Sequence, residues 1–268
     1  MIDSPYLVKP GKKLTLSKHD PDDTGKFKDK DDAADDIAKN LKKLDELQEI
    51  LYAQAKFSIL VVFQAMDAGG KDGAIEHIFS GVNPQGCSVT SFKVPSHLEL
   101  AHDYLWRYHQ AVPIKGMIGI FNRSHYESIL VERVKDIVPK KVWSKRYRQI
   151  NDFEHMLAAE NTQILKFYLN ISKEEQKERL QERLDDAVKN WKFNPGDLEE
   201  RKRWDDYMEA FQDALEKCST EDAPWYVIPS NKKWFRNWAI SDIIVRTLKA
   251  MPLEVPKPIE GISKYKIQ

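Results

Sequence analysis

Apolar residues recur at helical spacing at Ile37, Leu41, Leu44, Leu47 and Leu51, with Lys and Asp/Glu between them, which predicts an amphipathic helix. The next run, Phe57-Ser-Ile-Leu-Val-Val-Phe-Gln-Ala65, is apolar on both faces. Such a run predicts a central parallel strand buried between helix layers. The pattern then alternates. Cys87–Phe92, Met117–Asn122, Thr162–Ile171 and Pro224–Pro229 predict further strands. Between and after them, helices are predicted over Ser96–Tyr108, about 124–135, 143–160, Ser172 to about Asp185, Asp197–Lys217 and Lys232–Ala250. Ser96-His-Leu-Glu99 and Ser172-Lys-Glu-Glu175 each have the spacing of a capping box, which fixes where two of these helices begin.

Strands separated by helices imply βαβ units, a parallel sheet and helices on both faces: an α/β chain of three layers, α/β/α. There is no internal repeat and no Gly/Ser-rich linker, so residues 31–250 are expected to form a single domain. Residues 1–30, rich in Lys, Asp, Gly and Pro, are expected to be an extended arm. Residues 251–268, which begin Pro-rich, are expected to be an extended tail. The stretch 186–196 breaks the periodicity between two charged helices and is expected to be a lid.

Acidic and basic residues balance at 42 each in 268 residues, so net charge points to neither a nucleic acid nor an acidic partner. Two distant cysteines, Cys87 and Cys218, fit a reducing compartment. The first twenty residues lack the apolar stretch of a signal peptide, and no apolar run approaches the ~20 residues that span a bilayer. A cytoplasmic protein with no membrane partner is expected.

The stretch richest in chemistry is Ala65-Met-Asp-Ala-Gly-Gly-Lys-Asp-Gly73, which leaves the buried strand and enters a helix. Gly69, Gly70 and Gly73 let the backbone curl with its N–H groups inward. The helix N-terminus adds partial positive charge, and Lys71 adds a full one. Together these suit a polyphosphate group. The match to G-x-x-x-x-G-K-[ST] is partial: Ala65 replaces the first Gly and Asp72 the Ser/Thr that ordinarily ligates Mg²⁺. Asp67, inside the loop, is then a candidate oxygen donor for the metal, or the group that orients and deprotonates an acceptor phosphate.

In open parallel sheets ligands bind beyond the carboxyl ends of the strands. The strand Met117–Phe121 ends in Asn122-Arg-Ser-His-Tyr-Glu127. Asn122 stands where P-loop enzymes usually carry a metal-binding Asp. Arg123 offers a planar fork for a transferring phosphoryl group. Glu132 and Arg133 fall on the following helix. Ser124 reads as a helix cap, and His77 and His125 have no ligand partners at metal spacing. Lys140–Arg148 holds five cations interleaved with Trp143 and Tyr147. It reads either as a nucleic-acid contact or, preferably, as a solvated helix turning its aromatics inward.

Asp67–Gly73, Phe121–Glu127, Val131–Arg133, Arg183-Leu-Asp185, Trp191-Lys-Phe193, Asp197-Leu-Glu199, Trp204-Asp-Asp-Tyr207 and Pro224–Val227, taken in order, resemble the family-2 polyphosphate kinases. The likeness runs from about Pro21 to Leu248. It implies a P-loop kinase fold similar to thymidylate kinase, with a helical lid around 180–205. It also implies reversible phosphoryl exchange between inorganic polyphosphate and adenine nucleotides, with guanine nucleotides as further candidates, assisted by Mg²⁺ or in its place Mn²⁺. By this resemblance Asp67, Lys71, Asn122 and Arg123 are catalytic, and Asp67 and Asn122 are metal candidates. Ala68, Gly69, Gly70, Asp72, Gly73, Glu132, Arg133, Arg183, Lys192 and Asp197 contact phosphate or nucleotide. Many members carry Asp at the position of Asn122. The branch with Asn, which also resembles this chain at Pro21-Asp-Asp-Thr24, is implied to accept AMP as well as ADP. A homodimer or homotetramer is implied. An ATP-dependent nucleoside monophosphate kinase and a non-enzymatic polyanion-binding module are the competing expectations.

Overall fold

The computed structural model describes residues 1–267. The predicted first helix is α1, Lys30–Gln54; Asp29 caps it by accepting from the Asp31 and Asp32 amides, and Ala55 ends it in the left-handed region. The buried run after it is β1, Ser58–Gln64. There follow α2 (Lys71–Phe79), β2 (Cys87–Ser91), the short α3 (His97–Leu100) and α4 (Trp106–His109), and β3 (Ile118–Asn122). Next come α5 (Val131–Val134), α6 (Lys140–Ala159), β4 (Thr162–Asn170) and α7 (Lys173–Asp185). The chain continues through α8 (Gly196–Lys202), α9 (Trp204–Cys218), β5 (Trp225–Pro229) and α10 (Lys233–Ala250).

The five strands are all parallel in the order β2-β3-β1-β4-β5. Alternation along β1 divides the core in two. Ile59, Val61 and Phe63 face the layer of α1, α2 and α10, whereas Leu60 and Val62 face the layer of α6 and α9. The expected three-layer α/β/α fold is therefore the one observed. β1 lies at the centre because its seven residues are buried on both faces.

The second layer contains a charged cluster. Lys166 of β4 and Glu154 of α6 are both fully buried, with Nζ 2.5 Å from Oε2. Lys166 also donates to Tyr126 Oη and the Cys218 carbonyl, both at 2.7 Å, and His125 Nε2 lies 3.0 Å from Glu154 Oε1. His125 is thus a core histidine. Ser124 caps the turn His125–Ser128, as its sequence context suggests.

Three predicted helices differ from expectation. Ser96–Tyr108 splits into α3 and α4, because Asp103 Oδ1 accepts from the Leu105 amide at 3.0 Å and closes a side-chain turn between them. Residues 124–135 form a 3₁₀ turn and then α5. The helix expected from Asp197 to Lys217 bends at Arg203 into α8 and α9. The amino-terminal arm is packed: Tyr6, Val8, Leu14, Leu16 and Phe27 are buried. The Val8 amide donates to the Trp225 carbonyl at 2.9 Å and the Val227 amide to that of Tyr6 at 2.8 Å, so the arm covers the outer edge of β5.

Candidate active site

Register brings the two informative segments together. Phe63 of β1 is the partner of Asn122 in β3, and the Arg123 amide donates to the Phe63 carbonyl at 3.2 Å. The loop 65–70 and the segment Asn122–Glu127 therefore emerge side by side at the carboxyl end of the sheet. β1 is also where the connections change side, the switch point at which such sheets bind ligands.

The loop curls through two left-handed residues, Ala68 (φ 59°) and Gly70 (φ 92°). Gly69 must lack a side chain, since a Cβ there would lie 2.5 Å from that of Ala65. Ala65 can stand where a first glycine is usual because Gly69 yields the space. Gly73, expected to help the curl, instead lies within α2 without a left-handed φ; the bend is already complete at Gly70. Arg123 is itself left-handed (φ 63°), a strained state for a residue with a Cβ that is held only where surrounding structure enforces it.

The charged side chains form one cluster. Arg123 Nη2 is 2.9 Å from Asp67 Oδ1. Lys71 is buried and donates to the Ala65 carbonyl at 3.1 Å. Asn122 Nδ2 donates to Asp72 Oδ1 at 2.6 Å. Burial pulls the Lys71 ammonium below its ordinary pKa, Arg123 adds to the effect, and Asp67, Glu127 and Asp72 oppose it. Burial lowers Arg123 too, but Glu127, Asp67, Asp197 and Tyr207 together leave it raised. Glu127 is held above the usual carboxylate value by burial, against the pull of Arg123 and Lys71. Asp197 is raised by burial and by the neighbouring charge of Asp67, against Arg183 and Arg123. The start of α8 thus carries a carboxylate within electrostatic reach of the loop.

Arg183, Lys192 and Asp197 are brought together: the Arg183 guanidinium is 3.0 Å from Asp197 Oδ2 and donates to the Lys192 carbonyl at 3.2 Å. This clasp closes the segment 186–196, whose Trp191 is 79% exposed. Glu132 and Arg133 do not join the cluster. Glu132 binds Arg146 at 2.6 Å, and Arg133 binds Asp213 at 2.6 Å, Glu209 and Tyr147 Oη, with its guanidinium 4.6 Å from the centre of the Trp143 ring. Their partners lie on α6 and α9, which draw both side chains to the helical surface. Trp143 and Tyr147 turn inward, as the preferred reading of Lys140–Arg148 requires.

Four residues with no role assigned from sequence support the site. Glu127 stands within the quoted motif. Gln176 donates to the Asp67 carbonyl at 2.9 Å. Arg179 donates to the Ala68 carbonyl at 3.1 Å, and Arg236 to the Gly70 carbonyl at 3.1 Å. The only trace of Arg236 in the sequence is a polar pair, Arg236-Asn237, set among Phe235, Trp238 and Ala239 in a helix whose buried side is otherwise apolar except for Ser241 and Thr247.

Among the described residues no three His, Cys, Asp or Glu side chains converge on a metal site. The donors at the loop are hard oxygens, the Asp67 and Asp72 carboxylates and the Asn122 carbonyl. That set fits a Mg²⁺ ion carried in by phosphates rather than one caged by protein.

A parallel sheet with a glycine loop at its switch point, a buried lysine in that loop and an arginine at the neighbouring strand tip define a P-loop kinase fold. The polyphosphate kinase 2 family model matches residues 27–256. An AMP/ADP-polyphosphate phosphotransferase of Meiothermus ruber is 55% identical over 98% of this chain and 99% of its own length. An ADP-polyphosphate phosphotransferase of Rhodopseudomonas palustris is 41% identical over 98% and 95%. The crystal structure of polyphosphate kinase 2 from Arthrobacter aurescens TC1 superposes with a TM-score of 0.93 at 42% identity, covering 97% of this chain and 93% of the other. The chain belongs to the polyphosphate kinase 2 family.

Proposed function

We propose that this protein transfers the terminal phosphoryl group of inorganic polyphosphate to AMP and to ADP, and runs the exchange in reverse. The observation that carries this is the meeting of Lys71, Asp67 and Arg123 at the adjoining tips of β1 and β3. Of the two relatives, each matched over nearly its whole length, one is named for AMP/ADP-polyphosphate phosphotransfer and the other for ADP-polyphosphate phosphotransfer.

The chemistry asks little covalent help. An acceptor phosphate oxygen, already anionic near neutral pH, attacks the terminal phosphorus. The new P–O bond forms as the anhydride P–O bond breaks, and the shortened chain leaves with the electron pair. Repulsion between two polyanions and the alignment of the attacking oxygen are the obstacles, so catalysis is positioning and charge stabilisation. Lys71 and the loop amides hold the phosphate being cleaved. Arg123 exchanges its bond to Asp67 for one to the transferring group, which frees the Asp67 carboxylate. Asp67, with Asn122 and Asp72 beside it, would then hold Mg²⁺ or Mn²⁺, which supplies Lewis-acid neutralisation of phosphate charge when bound. Arg183 and Lys192 bring positive charge from the lid. Arg133 can reach phosphate only by leaving Asp213 and Glu209.

The proposal extends to guanine nucleotides as acceptors, to a homodimer or homotetramer, and to a cytoplasmic setting without nucleic-acid or membrane partners. No described helix is long and apolar enough to cross a membrane. The test supplies polyphosphate or ATP as the sole donor, with Mg²⁺ and each of AMP, ADP and GDP, and measures product. ADP and ATP should form from polyphosphate. Lys71→Ala should lower that turnover by about 10²-fold or more while remaining folded. Turnover with ATP as donor and none with polyphosphate, or a folded Lys71→Ala variant near parental rate, would refute the assignment.

A further inference from the structure

Two further guanidinium groups, those of Arg179 and Arg236, press against the loop carbonyls of Ala68 and Gly70. Arg236 is 3% exposed and Arg179 7%. Arg179 has a carboxylate partner, Glu175 at 2.7 Å, and also donates to the carbonyls of Ala68, Ser230 at 2.6 Å and Asn231 at 3.2 Å. Arg236 has no carboxylate. Its partners are the Gly70 carbonyl and the side-chain oxygen of Asn237, which accepts from Nε at 3.0 Å and Nη2 at 2.8 Å. Among the described residues it makes no ion pair.

The other titratable neighbour is His77 of α2. Burial first, and Arg236 second, lower its pKa, so it stays neutral and gives no compensation. Burial, with the adjacent Arg179, brings Arg236 down to about 10, still protonated at neutral pH. The pair is pressed against the loop: a Cβ on Gly70 would lie 2.2 Å from Arg236 Nη1 and 3.3 Å from Arg179 Nη1. A buried charge without a counter-ion is costly, and removing one charge of a buried pair ordinarily destabilises a fold strongly. A protein carries such a cost where function uses the charge.

We infer that Arg236 is a charge-supplying residue behind the phosphate loop, and that its counter-ion is the bound phosphate chain itself. The inference rests on the cradle reading above, and deepens it. Arg236 does not touch the ligand. It acts through the loop, drawing the Gly70 carbonyl back from the concave side and adding a weakly screened positive charge close to the cradle. The protein without ligand therefore holds an unsatisfied charge that phosphate binding relieves.

Asn237→Asp tests this with almost no change of shape. The aspartate places a carboxylate at the two contacts the amide oxygen already makes, and gives Arg236 a counter-ion in place. A purely structural Arg236 would be held more firmly and would bind ligand as before. A charge-supplying Arg236 makes two quantities move in opposite directions. Without ligand, the thermal midpoint should rise, by about 2–4 °C. With Mg²⁺ present, the dissociation constant for inorganic tripolyphosphate, measured by calorimetry, should weaken on the order of tenfold. An unchanged constant, or a midpoint that falls together with affinity, overturns the inference. Should Asn237→Asp fail to fold, Arg236→Lys and Arg236→Met decide: the lysine variant must bind tripolyphosphate more tightly than the methionine variant, and equal binding overturns the inference. A parental protein that binds no tripolyphosphate overturns the cradle reading as well. Parental binding with no effect in the variants overturns this inference alone.

Discussion

Lys166→Met probes the buried pair beneath the site. The ammonium makes three contacts, to Glu154 Oε2 at 2.5 Å and to Tyr126 Oη and the Cys218 carbonyl at 2.7 Å, at zero exposure. Methionine fills the space and removes all three. Glu154 then keeps only His125 and Tyr126 Oη, each at 3.0 Å. Breaking one partner of such a pair costs about 3–5 kcal/mol, a fall in midpoint of roughly 6–20 °C for a chain of this size. The loss should depend on pH. In the parent, burial pushes Glu154 up, but Lys166 and His125 outweigh it and hold it below its usual value. That lowered pKa contributes stability above the unfolded carboxylate value, which is lost as pH falls through the folded one. Without Lys166 the carboxyl's folded pKa is raised, so the folded variant binds more protons than the unfolded one, and acid stabilises it. The deficit measured by urea denaturation should therefore shrink from about pH 8 toward about pH 5. Adding Glu154→Leu should restore part of the loss, with coupling on the order of 2 kcal/mol. A deficit below about 1 kcal/mol, or one independent of pH, would refute the reasoning.

Two further outcomes follow from the site. Arg123→Ala should reduce kcat more than it raises KM for polyphosphate, because on the proposed mechanism its contact to the transferring group strengthens as charge develops there; a change confined to KM would mean that the contact serves ground state and transition state equally. Gly70→Ala should cost about 1–2 kcal/mol for the left-handed backbone and more for displacing Arg236, whose Nη1 lies 2.2 Å from the added Cβ, so both the urea midpoint and tripolyphosphate affinity should fall; parental values for both would show that the loop tolerates a wider curl.

The sheet was legible because its central strands are apolar on both faces, a pattern few other structures produce, and because glycines punctuate the run after β1. The loop–helix unit was legible for the same local reason: the signal and the structure lie within fifteen consecutive residues, 65–79. Short elements were not. Between Ser96 and Tyr108 the helical periodicity is continuous, and it is one side-chain contact, Asp103 to the Leu105 amide, that divides it. Between Asp197 and Lys217 the break at Arg203 accompanies a hydrogen bond from its Nη1 to the Val134 carbonyl at 2.6 Å, a partner 69 residues away.

The same distinction decides which site residues could be read. Asp67 and Lys71 follow the end of β1, and Asn122 and Arg123 lie at the end of β3, so the topology of a parallel sheet alone gathers them. Glu132 and Arg133 satisfy the same local pattern as a binding pair, yet Arg146, Glu209 and Asp213 claim their charges from other helices. Arg236 is the converse. It stands 166 residues from Gly70 in the chain, and the local sequence offers only the Arg236-Asn237 pair to mark it. What marks it is a property of the folded whole: a positive charge sealed from water, with an amide where a carboxylate would satisfy it. An aspartate at position 237 would satisfy that charge permanently. An asparagine leaves it for a phosphate to satisfy, so the folded protein gains stability each time the cradle fills.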